Sequence, residues 1–241
     1  PETGYNQTFL YPEAGLDALV HALAAKGDIR LNSRVAAIDL SGREIALASG
    51  ERLPYDCIVS TLPLDAMLRL TNLGVNEPAG IRSAVLVLNI GGSKGESLPR
   101  DHWVYVPESR AGFHRVGVYS NVDALFVPNE DPALASFYVE RAYPGGARPD
   151  DDEINRCAAE AVSELREWGW LRDAHVVSPS WVETAYTWSR PGSGWRERAI
   201  DALRAHGILM TGRYGKWKFQ GIADSLRDGI YAGAALRPGT P

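Results

Sequence analysis

The residues best suited to chemistry lie near the end of the chain. Gly212 and Gly215 bracket Arg213 where an apolar run, Ile208-Leu209-Met210-Thr211, stops. Gly221 then precedes a helical pattern from about Ala223 to Leu236. Glycine lets backbone approach a ligand closely, and a helix start presents unpaired N–H groups with positive dipole character. Such a place suits an electron-rich, oxygen-bearing ligand such as a flavin ring or a pyrophosphate. The same spacing also fits a strand–loop–helix crossover whose glycines only make turns.

Arg213 offers a planar fork that matches a carboxylate or phosphate on a substrate, or else forms a surface salt bridge. Lys216 and Lys218 flank Trp217, and alternation would send both lysines one way and Trp217 the other. Several aromatic residues of the middle region could line a pocket or simply fill a core. Of these, Tyr186 is singled out with Trp217 as a substrate-side candidate. The chain has no P-loop and no Cys–His partnership supported by spacing, so no catalytic residue is assigned.

The elements that must position these residues can be read from periodicity. Ala14 to Ala25 forms a helix with Leu16, Leu19, Val20 and Leu23 on one face, stopped by Gly27. Ile29 to Leu40 alternates as a strand, and Glu44–Ala48 and Arg52–Tyr55 follow after turns at Ser41-Gly42 and Ser49-Gly50-Glu51. Cys57–Ser60 reads as a parallel strand buried on both faces, ended by Thr61-Leu62-Pro63. The middle is different: Ser83–Ile90, Trp103–Pro107, Phe113–Tyr119, Ser136–Ala142 and His175–Tyr186 predict strands, and the short connections favour antiparallel pairing. The acidic run Asp150–Glu153 opens a helix with Ile154, Cys157, Ala161, Leu165 and Trp168 inward. Trp195–His206 predicts another.

Composition gives an ordinary globular chain of 241 residues, 45% hydrophobic and 23% charged. A net charge of −5 without a basic stripe argues against nucleic acid. No apolar run approaches the ~20 residues that span a bilayer, and no signal-peptide layout occurs. Cys57 and Cys157 are too few for a disulfide framework and are expected as free thiols, one on a buried strand and one on a helix. No histidine pairing suggests a metal. The cytoplasm is the default location.

Three segments carry a family resemblance. The run GRYGKWKFQGIADSLRDGIYAGAAL looks like the C-terminal flavin-contacting segment of the flavoproteins that include amine oxidases, protoporphyrinogen oxidase and UDP-galactopyranose mutase. YPEAGLDAL at Tyr11–Leu19 resembles their "YPxGG…L" helix entry. Ile29–Val35 followed through Tyr55–Pro63 looks like the strand pair and last sheet strand of their FAD domain. Together these cover roughly the first 70 and last 35 residues.

The resemblance implies an α/β plus α+β architecture: a partial, Rossmann-like FAD-binding domain from 1–67 and 208–241, with an inserted antiparallel-sheet substrate domain at 68–207. It implies that Val35 meets adenine through its backbone and that Thr61, Leu62 and Pro63 lie at a ligand-bearing strand end. Gly212 and Arg213 would lie by the pyrophosphate and ribityl chain, and Gly221, Ile222 and Ala223 would aim N–H groups at the flavin pyrimidine edge. The family's GxGxxG unit is absent, and the chain opens at Pro1 on a polar lead, so the expectation is the C-terminal portion of a longer flavoprotein or one subunit of a split one. The expected partners are a small-molecule substrate, the missing FAD-binding half and, through an apolar face on 56–63 and 208–212, a second copy.

The expected function is the FAD-completing, substrate-binding half of an amine-oxidase-like oxidoreductase. A non-redox mutase acting on a nucleotide sugar is the alternative enzyme. Against it, the resemblance puts Phe219 and Gly221 where mutases carry a tyrosine and an aspartate. A binding module without FAD is the non-enzymatic alternative.

Overall fold

The structure, a computed structural model, describes residues 11–13 and 15–236. It divides into two compact units between Asp56 and Cys57. The polar lead before Tyr11, and Ala14 at the expected helix start, lie outside the described residues.

In the first unit, helix α1 spans Leu16–Ala24. Its apolar positions Leu16, Leu19, Val20 and Leu23 share a face as expected, yet all four are exposed and none of the helix is buried. Strands β1 (Val35–Asp39), β2 (Glu44–Leu47) and β3 (Arg52–Pro54) form an antiparallel meander in sequence order. Ile38, which pairs with Ile45, and Leu47 are its buried hydrophobics. Asp39 Oδ1 accepts from Ser41 N at 2.9 Å and Gly42 N at 3.0 Å, which closes the first turn. The strand expected from Ile29 begins only at Val35. Asn32 sits at φ 56° and Leu31 is 80% exposed, so the apparent alternation before Val35 belongs to a turn.

In the second unit, β4 (Ile58–Ser60) is followed by helix α2 (Leu64–Thr71), entered through Pro63 and not anticipated from sequence. Proline has no N–H to lose at a helix entry and its φ suits one. Strands β5 (Ile81–Lys94), β6 (Trp103–Tyr105) and β7 (Arg115–Val118) come next, then a helical turn α3 (Tyr119–Val122) and strand β8 (Leu134–Pro144). Helix α4 (Asp151–Glu167), strand β9 (Leu171–Trp188) and helix α5 (Trp195–Arg204) follow. Strand β10 (Ile208–Met210), the turn α6 (Gly212–Gly215) and helix α7 (Ile222–Ala235) complete the unit.

The antiparallel sheet expected in the middle of the chain is present, in the order β6-β7-β8-β5-β9. Alternation sorts its two faces. Leu86, Leu88, Ile90, Val116, Val118, Phe137 and Val139 join Ile154, Cys157, Ala161 and Leu165 of α4 in one core. The intervening residues, Val85, Val87, Arg115, Tyr138 and Glu140, therefore point away from α4. Gly117 pairs with Tyr138, and a Cβ there would fall 1.8 Å from the Tyr138 ring, so the ring occupies the space a side chain would need.

Strand β4 pairs in parallel with β10, Ile58 opposite Ile208 and Ser60 opposite Met210. Burial on both faces is not observed: Ser60 is buried, but Val59 is 40% exposed and Cys57 is exposed, because this ladder has only two strands. The apolar face expected over 56–63 and 208–212 is accordingly divided. Val59 and Leu62 are exposed, whereas Ile208, Met210 and Gly212 are buried.

Candidate functional site

Residues after β10 do not run as an extended loop. Gly212 takes φ +72°, a conformation open to glycine, and turns the chain into α6. Gly215 sits close against β4, where a Cβ would lie 3.0 Å from Ser60 O. The alternation assumed for Lys216, Trp217 and Lys218 therefore fails. Trp217 adopts φ +50°, is 2% exposed, and donates its indole N–H to Trp188 O at 3.1 Å. Its ring meets Trp195 edge-on at 5.3 Å, and Gly80 leaves it room, since a Cβ there would fall 2.3 Å from Trp217 Nε1. Trp217 is a core residue that anchors the segment, not a substrate-side one.

A cleft of about 490 Å³ opens between the end of β4 and the start of α7. It gathers Thr61, Gly212, Arg213, Gln220, Gly221 and Ile222. Leu62 and Pro63 lead away from Thr61 into α2, and Ala223 follows Ile222 in the exposed first turn of α7. At Gly221 the nearest atom to an added Cβ is Asp224 Oδ2 at 3.9 Å, so this glycine stands against open space. The first N–H groups of α7 have no intrahelical acceptor and head this space with the positive end of the helix dipole. Val35 lies in the other unit, at the start of β1 opposite Leu47.

The cleft is organised by a residue the sequence reading missed. Asp228, buried on α7, accepts from Lys216 Nζ at 2.6 Å, Gln220 Nε2 at 2.9 Å and Gly212 N at 3.3 Å. Burial opposes its ionisation, but the hydrogen bonds from Lys216 and Gln220 and the lysine charge outweigh it, holding the carboxyl below the usual aspartate range. The available signal was an acidic residue one turn from Ala232 on the buried face of an otherwise apolar-faced helix.

Arg213 stands between this cleft and a second opening of about 190 Å³ on the sheet face turned away from α4, lined in part by Arg115, Glu140, Tyr186 and Tyr214. Its guanidinium carbon lies 4.7 Å from the Phe219 ring centroid, 5.1 Å from Tyr186 and 5.8 Å from Tyr214. Among the described residues its guanidinium has one hydrogen-bond acceptor, Ala185 O at 3.4 Å, and no carboxylate within salt-bridge distance. The salt-bridge alternative is thus not what this arginine makes. Arg115, in contrast, is bound by Glu140 through two bonds of 3.0 and 2.5 Å. Burial works against its charge, yet the Glu140 bonds and charge hold its pKa above the ordinary arginine value. Among the described residues no cluster of three or more His, Cys, Asp or Glu side chains is placed to hold a metal ion.

The model of the flavin containing amine oxidoreductases matches residues 2–236. The chain belongs to that family. The fold is shared with reduced UDP-galactopyranose mutase at a TM-score of 0.75 and 22% identity, over 93% of this chain and 52% of that one. A protein from Exiguobacterium sp. 255-15, provisionally named protoporphyrinogen oxidase, gives 0.70 and 15%, over 93% and 51%. Wild-type putrescine oxidase with bound putrescine gives 0.55 and 11%, over 92% and 53%. The chain thus spans about half the length of each of these amine-oxidoreductase-like structures. The resemblance carried by the GRYGKWKFQG and YPEAGLDAL segments is borne out. So is the mixed architecture with an antiparallel sheet.

Proposed function

We propose that the chain is the flavin-completing and substrate-facing part of an FAD-dependent oxidoreductase. The observation that carries this reading is the cleft in which a strand end at Thr61, a glycine turn at Gly212 and the head of α7 converge. A flavin fits such a donor set: the N–H groups of Ile222 and Ala223 would face a carbonyl-rich ring edge, and Gly212 and Gly221 would let backbone approach it. Thr61, Leu62 and Pro63 would border the cofactor from β4, and Val35 would meet its adenine end. Bound FAD would supply the acceptor for a hydride leaving the substrate.

This chain's own part is to hold and orient. Asp228 keeps Gly212, Lys216 and Gln220 in register around the cleft. Tyr186 and Phe219 hold the Arg213 guanidinium between the cofactor side and the sheet-face opening, where the substrate would sit. A nucleotide-sugar mutase is the weaker reading, because Phe219 and Gly221 supply neither a phenol nor a carboxylate. The reading places the protein in the cytoplasm, with the other half of the family fold as its first partner and a second copy as another. Among the described residues no helix is long and apolar enough to cross a membrane.

Titration with FAD, followed by the flavin absorption bands and quenching of flavin fluorescence, tests this. Saturable binding by the protein supports it. Failure of FAD to bind even when the upstream half of the fold is supplied removes the oxidoreductase reading and leaves a binding module.

A further inference from the structure

The sheet-face opening has a charge pattern that bears on what enters it, and this inference rests on the proposal that the opening faces substrate. Its lining includes two guanidinium groups, Arg115 and Arg213, and one carboxylate, Glu140. Both Glu140 oxygens are taken by Arg115, and His114 Nε2 lies 3.6 Å from one of them. That pair is electrically closed. Arg213 is not: it has no carboxylate partner among the described residues, so the opening keeps one net positive charge.

The way Arg213 is held sharpens the point. The Phe219 and Tyr186 rings lie 4.7 and 5.1 Å from its guanidinium carbon, so π-contacts serve the cation while one backbone carbonyl, Ala185 O, takes an N–H. Its remaining in-plane donors are free to form the parallel pair of bonds that a carboxylate or phosphate accepts. Among the described residues the lining offers a substrate ammonium no unpaired carboxylate: Glu140 is bound by Arg115, and the Tyr186 ring already serves a guanidinium cation.

We propose that the opening takes an anionic substrate, bearing a carboxylate or phosphate that Arg213 binds directly, in preference to an amine. Arg115 and Glu140 form a neutral wall beside that subsite, with Glu140 limiting its positive potential.

Calorimetric titration of the flavin-free protein with benzoate, inorganic phosphate and benzylamine tests this. Either anion is expected to bind, benzoate alone assigning a carboxylate, phosphate alone a phosphate, and both a general oxyanion site. Arg213→Gln should weaken that binding at least tenfold, and Arg213→Lys should recover part of it. Glu140→Gln should tighten anion binding severalfold by exposing the Arg115 charge. Circular dichroism and urea midpoints confirm that each variant is folded. Benzylamine binding more tightly than both anions, no binding of any probe, or anion binding indifferent to Arg213→Gln would each overturn the assignment. Because flavin is absent, anion binding without any FAD binding would sink the oxidoreductase reading alone. FAD binding without an Arg213-dependent anion response would sink this one alone.

Discussion

The Asp228–Lys216 pair, 2.6 Å between Oδ1 and Nζ, ties helix α7 to the turn that shapes the cleft between β4 and α7. The same carboxylate reaches Gly212 N and Gln220 Nε2, so one buried charge fixes three points of a short segment. Breaking a buried charged network leaves donors without an acceptor, which costs more than the net worth of the bonds. Asp228→Ala should destabilise the protein by about 1–3 kcal/mol in urea denaturation. It should also weaken FAD binding although Asp228 does not line the cleft.

The pH dependence of that pair has a definite sign. The folded Asp228 carboxyl is held below its unfolded value, so its contribution is complete above the ordinary aspartate range near pH 4. It is lost as pH falls through the lower, folded value. Stability of the wild type should therefore drop more steeply below about pH 4 than that of Asp228→Asn, whose group does not titrate. Parallel acid limbs in the two proteins would show that the carboxylate is not stabilised in this way.

Two glycines of the cleft should behave oppositely. Gly212 needs φ +72°, so Gly212→Ala places a Cβ in the left-handed region and should cost about 1–2 kcal/mol of stability. Gly221 has φ −86° and open space at its Cβ position, so Gly221→Ala should leave the urea midpoint within experimental scatter. A larger side chain there, as in Gly221→Leu, should cut FAD affinity at least tenfold without loss of fold. Unchanged affinity would mean that no ligand approaches Gly221.

Much of this arrangement was legible in the sequence, for identifiable reasons. Phe137 and Val139 alternate with Tyr138 and Glu140 because β8 has α4 on one face and the Arg115 opening on the other. The acidic start of α4 announces itself because Asp150 caps it, accepting from Glu153 N at 2.7 Å. The failures share a cause as well. Ile29–Arg34 alternates in type, but nothing in a single strand's pattern reveals the turn at Asn32. Trp217 reads as a substrate-side candidate because alternation with its lysine neighbours suggests an extended segment, whereas a positive φ turns the indole into the core. Asp228 shows in the sequence only as an acidic residue one turn from Ala232; what it holds does not show, because its partners lie 8–16 residues away, outside any local pattern.

The last prediction concerns the wall of the sheet domain. Glu164 is a buried carboxylate on α4 that accepts from Ser109 Oγ at 2.9 Å, Ala111 N at 3.0 Å and Arg110 N at 3.3 Å. It holds the β6–β7 connection against the helix. Glu164→Ala removes the acceptor of two backbone donors and a hydroxyl at a partly buried site, and should cost about 1–3 kcal/mol. Glu164→Gln keeps one acceptor oxygen and should cost less. Arg115 is bound to Glu140 on β8 independently of that connection. Both variants should therefore keep benzoate or phosphate affinity within twofold while their urea midpoints fall. If affinity collapses with stability instead, the anion subsite depends on the connection and is not preformed on the sheet.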